Sequence, residues 1–185
     1  IVSSHDAPDV ARLMTAAERL TLLGRRAGGP RKQLRYHPLV REFLAARLGR
    51  EVGDAAVRSL HEQVGRFAEV ADWRTAAHHY SLAGDGGRAR RVIDDAAQEI
   101  VAKGEYSLTE AYVPDASDGE TLASFEVLRS RRAFKRGDVP RALAHADKAV
   151  DLDPASSIAL VNLASISFNV GDLDRAVELS RRVAE

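Results

Sequence analysis

The sequence contains the segment Gly137-Asp138-Val139-Pro140-Arg141-Ala142-Leu143, which recurs 34 residues later as Gly171-Asp172-Leu173-Asp174-Arg175-Ala176-Val177. Between them lies Asp153-Pro154, in which Asp can cap a helix and Pro can occupy its first turn. A fixed period of this length indicates a repeated pair of antiparallel helices, which buries its apolar face by stacking on the next pair. The pattern therefore predicts a stack of helices whose surface binds a partner.

This repeat resembles the tetratricopeptide repeat. With Gly-Asp at the turn between the two helices, one repeat covers residues 123–156 and the next runs from 157 to 185, where its second helix is truncated. The second helices match the pattern well, but the first repeat has Glu126 and Arg129 at positions that are usually bulky and apolar. The resemblance implies a right-handed superhelix with a concave side that holds a partner.

The composition favours a cytoplasmic globular protein. The 185 residues include no cysteine, signal peptide or long apolar run, so we expect no disulfide, no thiolate metal site and no membrane segment. The net charge of zero is unevenly distributed. Residues 1–50 have 10 Lys and Arg against 4 Asp and Glu, and residues 51–185 have 17 against 23. This asymmetry predicts two modules with different neighbours.

The basic module, residues 1–50, has the element order of the C-terminal part of a winged-helix domain. Apolar spacing predicts a helix over Asp9–Leu23. Leu22–Arg26 and Gln33–His37 are expected to pair as a β-hairpin across a basic turn that contains Gly and Pro. A last helix begins at Pro38.

The rest of the chain is predicted to be helical. Residues 51–122 form irregular helical repeats, with helices over 73–83 and 87–102, and 107–120 form a short helix and a loop. Residues 123–185 form the tetratricopeptide-like repeats. The predicted fold class is therefore all-α: a partial winged-helix domain with a short hairpin, followed by a helical superhelix.

Two further segments resemble a family of bacterial regulators. They are Tyr36-His37-Pro38-Leu39-Val40-Arg41-Glu42-Phe43 and Ala71-Asp72-Trp73-Arg74-Thr75-Ala76-Ala77-His78-His79. Both resemble the signal-transduction NTPases of the maltose-activator type, which are large transcriptional regulators with a LuxR-type DNA-binding domain at the C-terminus. The resemblance implies a nucleotide-binding domain, then a winged helix, then a superhelical region that receives an inducer.

The sequence itself has no Gly-x-x-x-x-Gly-Lys-Ser/Thr motif and no visible helix-turn-helix. We therefore expect a fragment that is not an enzyme and holds no cofactor of its own. By resemblance, ATP or ADP binds an adjoining nucleotide-binding domain of the parent protein, and DNA is bound only by a separate C-terminal domain. The expected partners are that nucleotide-binding domain and an inducer or partner protein.

His37 is the candidate nucleotide contact in the parent protein. In related NTPases a histidine at the junction of wing and last helix reaches the β-phosphate of ADP, and Tyr36-His37-Pro38 lies at the matching junction. An imidazole can donate a hydrogen bond to phosphate, and the N-terminus of the following helix favours an anion. The Asp of the related motif is Pro38 here, and a histidine that only braces the wing is the alternative.

The candidate partner groove is assigned from the repeat positions that line the concave side. These positions hold Arg131, Phe134, Lys135, Asn162, Ser165 and Asn169. The mixture suits an anionic ligand or an acidic peptide. The alternative is a solvated helix face with surface salt bridges.

Single segments of the sequence also suggest other functions. His61-Glu62 begins a zinc-protease-like motif, but Gly65 replaces its second histidine, so no metal site and no catalytic residues are predicted. A DNA-binding winged helix is an alternative suggested by Arg31, Lys32 and Arg35. A free-standing scaffold for protein–protein interaction is the other alternative.

Overall fold

The computed structural model describes Arg12, Thr15, Ala16 and Arg19 and residues 23–25, 34–113 and 121–184. The described part is all-α apart from two three-residue strands. The chain divides into two compact units, Ile1–Val57 and Arg58–Glu185, and each is described by itself.

In the first unit, strand β1 (Leu23–Arg25) pairs antiparallel with β2 (Leu34–Tyr36), and helix α1 (Pro38–Val52) follows. Helix α1 starts with Pro38 in its first turn, where the missing N–H has no intrahelical partner to lose. Of the helix predicted over 9–23, Arg12, Thr15, Ala16 and Arg19 are helical, but Leu23 is the first residue of β1 instead. Its other residues and the basic turn lie outside the described residues, and the winged-helix assignment stays a prediction.

Eight further α-helices follow α1 among the described residues. They are α2 (Asp54–Ala68), α3 (Trp73–Ala83), α4 (Gly86–Asp95), α5 (Ala97–Ala102), α6 (Ala123–Lys135), α7 (Val139–Leu152), α8 (Ser157–Asn169) and α9 (Leu173–Ala184). A 3-10 turn, Tyr106–Thr109, lies between α5 and α6. The predicted loop after it lies partly outside the described residues. The helix expected over 87–102 is interrupted at Ala96, which separates α4 from α5.

Aspartates fix where several helices begin. The Asp72 carboxylate accepts the backbone N–H of Arg74 at the start of α3, and Asp85 accepts that of Arg88 at the start of α4. Such a side chain satisfies one of the N–H groups that the first turn leaves unpaired, which stabilises a helix by about 1 kcal/mol. These caps explain why the polar Asp residues coincide with the turns of the sequence.

Three apolar clusters form the core of the second unit, and the smallest consists of Val127, Ala149 and Ala159. The first joins α3 to α6 through large buried side chains, principally Trp73, Tyr80, Ile93, Ile100 and Phe125. The second joins α6 to α9 around the alanines Ala142 and Ala146 of α7 and the larger side chains of α8 and α9. Because alanine takes little volume, the backbone of α7 can approach its neighbours closely.

Candidate binding surface of the helical repeats

The two recurring segments adopt the same turn. Gly137 and Gly171 both have a positive φ, 80° and 87°, a conformation that glycine adopts without steric cost. The next residues, Asp138 and Asp172, each accept the backbone N–H three residues later at 3.2 Å. The pairs α6–α7 and α8–α9 are therefore two copies of one helix–turn–helix unit at the level of local structure.

Arg131 and Lys135 lie one turn apart on α6 and so share a face of that helix. Arg131 is half-buried, its Nε has no hydrogen-bond partner, and no carboxylate among the described residues pairs with it. Burial lowers the pKa of the Arg131 guanidinium, and the nearby Tyr106 opposes that shift. Lys135 is exposed, with Nζ 5.6 Å from the centre of the Tyr106 ring. The face thus presents two cations beside an aromatic ring.

Phe134, between them, is half-buried and packs on the second apolar cluster. On α8, Ser165 is half-buried and Asn169 is exposed, and the Asn169 amide donates to the Ser165 carbonyl at 2.6 Å. These two polar side chains are again one turn apart and lie on a common face.

Asn162 is placed differently from the other predicted residues. It is completely buried, and its amide donates to the Ser130 hydroxyl at 2.9 Å, which in turn donates to the Ala142 carbonyl at 2.8 Å. Asn162 therefore connects α8 with α6 and α7, and it is not accessible to a ligand in this structure. Its other amide atom, Oδ1, has no partner among the described residues.

A buried ionic network between α6 and α7 was not predicted from the sequence. The Glu126 side chain is 0% exposed and accepts hydrogen bonds from Arg129 at 2.8 Å and Thr121 at 3.1 Å. His145 and Lys148 of α7 contact the same carboxylate at 2.6 and 2.9 Å. The sequence feature that pointed to this network was the presence of two charged residues, Glu126 and Arg129, at positions where tetratricopeptide repeats usually carry bulky apolar residues.

Opposing effects set the pKa of Glu126. Burial raises it, but hydrogen bonds from Lys148 and His145 and the charge of Arg129 outweigh burial, so that the pKa lies below its ordinary value. The carboxylate is therefore ionised at neutral pH, and it holds α6 and α7 together as an anion.

Arg132 makes a second buried connection. Its guanidinium donates to the Thr109 hydroxyl at 3.0 Å and to the Val113 carbonyl at 2.6 Å. These contacts attach the segment after α5 to α6. Arg132 therefore has a structural role, although its neighbour Arg131 belongs to the candidate surface.

An apolar groove of about 810 Å³ lies on α8 and α9. It is lined chiefly by Val161, Phe168, Leu173, Val177 and Val183. Val161 is 49% exposed, whereas Val127, one period earlier, is completely buried. The difference arises because α8 packs on α6 and α7, while no described residue covers the matching face of α8 and α9.

His37 is exposed at the residue before α1, and its side chain makes no capping hydrogen bond.

His61 and His79 approach each other, with their Nδ1 atoms 2.8 Å apart. Burial and the neighbouring His61 and His78 lower the pKa of His79. Within the described ranges, no group of three side chains is arranged to hold a metal ion. None of the described helices has the length and apolar character that a membrane span requires.

Neither a scan against protein-family models nor a search of curated proteins finds a match to this chain. The resemblance to the maltose-activator type of regulator therefore stays a prediction.

Proposed function

We propose that this chain is the regulatory segment of an ATP-dependent transcriptional regulator, in which the helical repeats bind an inducer or partner protein. In this proposal the repeats form a right-handed superhelix and the first unit is part of a winged helix. His37 contacts the β-phosphate of ADP in an adjoining nucleotide-binding domain. Binding to the repeats favours one arrangement of these parts, and that preference shifts the nucleotide domain between closed and open states.

The observation that carries the proposal is the Arg131 guanidinium. It is half-buried on a repeat helix and no described carboxylate neutralises it. Removing a cation from water is unfavourable unless an anion compensates for it. Lys135 adds a second positive charge on the same face, so the surface favours a partner that supplies carboxylates.

The polar side chains of α8 offer a partner further hydrogen bonds. Ser165 offers a hydroxyl and Asn169 an amide, and their existing bonds are local to one helix turn. An acidic peptide in an extended conformation could exchange these bonds for its own without disturbing the packing of α6 against α8. We therefore favour an acidic protein segment as the partner of this surface.

The test uses a fluorescein-labelled hexaglutamate peptide, with hexaglutamine as the neutral control, and follows fluorescence anisotropy. We expect saturable binding of hexaglutamate that Arg131→Gln weakens by about tenfold or more, because a hydrogen bond between charged groups contributes roughly 1.5–3 kcal/mol. Arg141 is an exposed arginine on α7, and Arg141→Gln should leave the affinity within about twofold. Equal losses in both variants, or no selectivity for glutamate over glutamine, would contradict the proposal.

The regulator and the free-standing scaffold share this surface, and the full-length protein distinguishes them. A preceding domain with a Gly-x-x-x-x-Gly-Lys-Ser/Thr motif that binds ATP supports the regulator. A full-length protein without such a domain favours the scaffold.

A further inference from the structure

Helices α2 to α5 and their connections line a half-open cavity of about 690 Å³, a size typical of small-molecule sites. It lies outside the candidate partner surface. Five cationic side chains and four carboxylates line it, together with the rings of Trp73 and Tyr80. The mixture is more polar than a packing defect between helices, which would be lined by apolar side chains.

Most of these charged groups are already paired. Three of the five cations form ion pairs, which are Arg74–Glu105, Arg88–Glu62 and Lys103–Glu99. These side chains shape the cavity but have little free charge to offer a ligand.

Two of the four carboxylates have structural tasks. Asp72 caps α3 and also accepts the Thr75 hydroxyl at 2.7 Å, and Glu69 accepts the Tyr80 hydroxyl. Burial and the hydrogen bond to Glu69 raise the pKa of Tyr80 to about 12, so this hydroxyl stays protonated at neutral pH. Glu69 is therefore occupied by a permanent donor.

Three charged groups at the solvent-exposed edge of the cavity have no partner among the described residues. Arg66 in the last turn of α2, Arg91 on α4 and Asp95 at the end of α4 have no ion pair or side-chain hydrogen bond with another described residue. The Nε1–H group of Trp73 is also buried without an acceptor among the described residues. These three groups thus comprise two guanidinium ions and one carboxylate beside an unsatisfied indole.

We infer that this cavity is a binding site for a small organic anion that carries a carboxylate or phosphate group together with hydroxyls. Arg66 and Arg91 bind the anionic oxygens, because a planar guanidinium matches the geometry of carboxylate and phosphate. Asp95 accepts a hydrogen bond from a ligand hydroxyl. This site goes beyond the proposed partner surface, since it is a separate position for a small-molecule effector within the irregular repeats.

The sequence provides its own probe for this site, because Trp73 is the one tryptophan among all 185 residues. In the folded protein its emission therefore reports on the surroundings of this cavity. The 185-residue chain is titrated at constant ionic strength with inorganic phosphate, citrate and glucose 6-phosphate, and with glucose as the neutral control.

We expect citrate or glucose 6-phosphate to change the Trp73 emission saturably below roughly 1 mM, and glucose to have no effect. Arg66→Gln and Arg91→Gln should each weaken that binding by roughly ten- to a hundredfold. Asp95→Asn should weaken glucose 6-phosphate more than inorganic phosphate, because only the sugar ester has hydroxyls. Circular dichroism checks that each variant keeps its helicity, and Arg141→Gln is the matched control.

No saturable change with any of the three anions up to roughly 10 mM overturns the inference. Equal weakening by Arg141→Gln overturns it as well, because that outcome indicates nonspecific ion binding. Carboxylate and phosphate ligands are distinguished by whether citrate or glucose 6-phosphate binds more tightly. Failure here leaves the hexaglutamate experiment unaffected, so the two proposals can fail separately.

Discussion

Substitution of Glu126 by glutamine tests whether the buried ionic network stabilises the repeats. The carboxylate is fully buried and accepts hydrogen bonds from Arg129, which is 4% exposed, and from Thr121. His145 and Lys148 contact it from the neighbouring helix. Glutamine preserves the shape, but it removes the negative charge and directs an NH2 group at side chains that are themselves donors.

The expected loss follows from the exposure of each partner. A buried charged hydrogen bond such as that from Arg129 contributes roughly 1.5–3 kcal/mol, whereas the half-exposed Lys148 contributes at most about 1 kcal/mol. Together they give a destabilisation of about 3 kcal/mol, which corresponds to a fall in Tm of about 10 °C for a unit of this size. Urea denaturation, followed by circular dichroism and by Trp73 fluorescence, measures the change at neutral pH.

Glu178→Gln is the matched control, since Glu178 is 66% exposed and its ion-pair contact with Arg181 is 3.8 Å long. It should change the free energy of unfolding by less than about 0.5 kcal/mol. If Glu126→Gln also costs less than about 1 kcal/mol, the network does not stabilise the repeats and the reasoning from burial is wrong.

The stability lost in Glu126→Gln depends on pH in a defined way. Because the pKa of Glu126 in the folded protein lies below its ordinary value of 4.5, the folded state favours the ionised carboxylate. Its contribution is fully present above about pH 4.5 and is lost as the pH falls through the lowered pKa. The difference in stability between the wild type and Glu126→Gln should therefore shrink as the pH falls below about 4.5.

Two further predictions concern glycines. Gly137→Ala and Gly171→Ala should each destabilise the chain by about 1 kcal/mol or more in urea denaturation, because both positions have a positive φ. Gly86→Ala, with an ordinary φ and open space around it, should cost nothing, and an equal loss there would contradict the argument. Gly65→Ala should destabilise by roughly 1–3 kcal/mol, because its Cβ would lie 3.0 Å from the Tyr80 ring. An unchanged melting temperature would show that the ring moves aside at no cost.

The sequence predicted the all-α class and the repeat turns because their causes are local. A glycine with positive φ followed by a capping aspartate ends one helix and starts the next within a few residues, at Gly137 and again at Gly171. The interruption between α4 and α5 at Ala96 was not predicted, since neither Gly nor Pro marks it.

The candidate surface was only partly predictable. Arg131, Lys135 and Asn169 occupy helix faces that follow from spacing alone, and the structure leaves them accessible in whole or in part. Asn162 has equally polar chemistry, but it is buried because Ser130, 32 residues earlier, lies opposite it. No local pattern contains that information.

The sequence by itself therefore determined the helical period, the turns and the helix starts, because these depend on backbone preferences and on side chains within one helix turn. Only the tertiary structure decided that Glu126 is a buried anion, because its partner His145 is 19 residues away on another helix. It also decided which charges of the Trp73 cavity remain unpaired, since pairing depends on distances between helices that sequence spacing does not define. Burial and charge compensation are properties of the packed helices, and they arise only when residues distant in sequence are brought together.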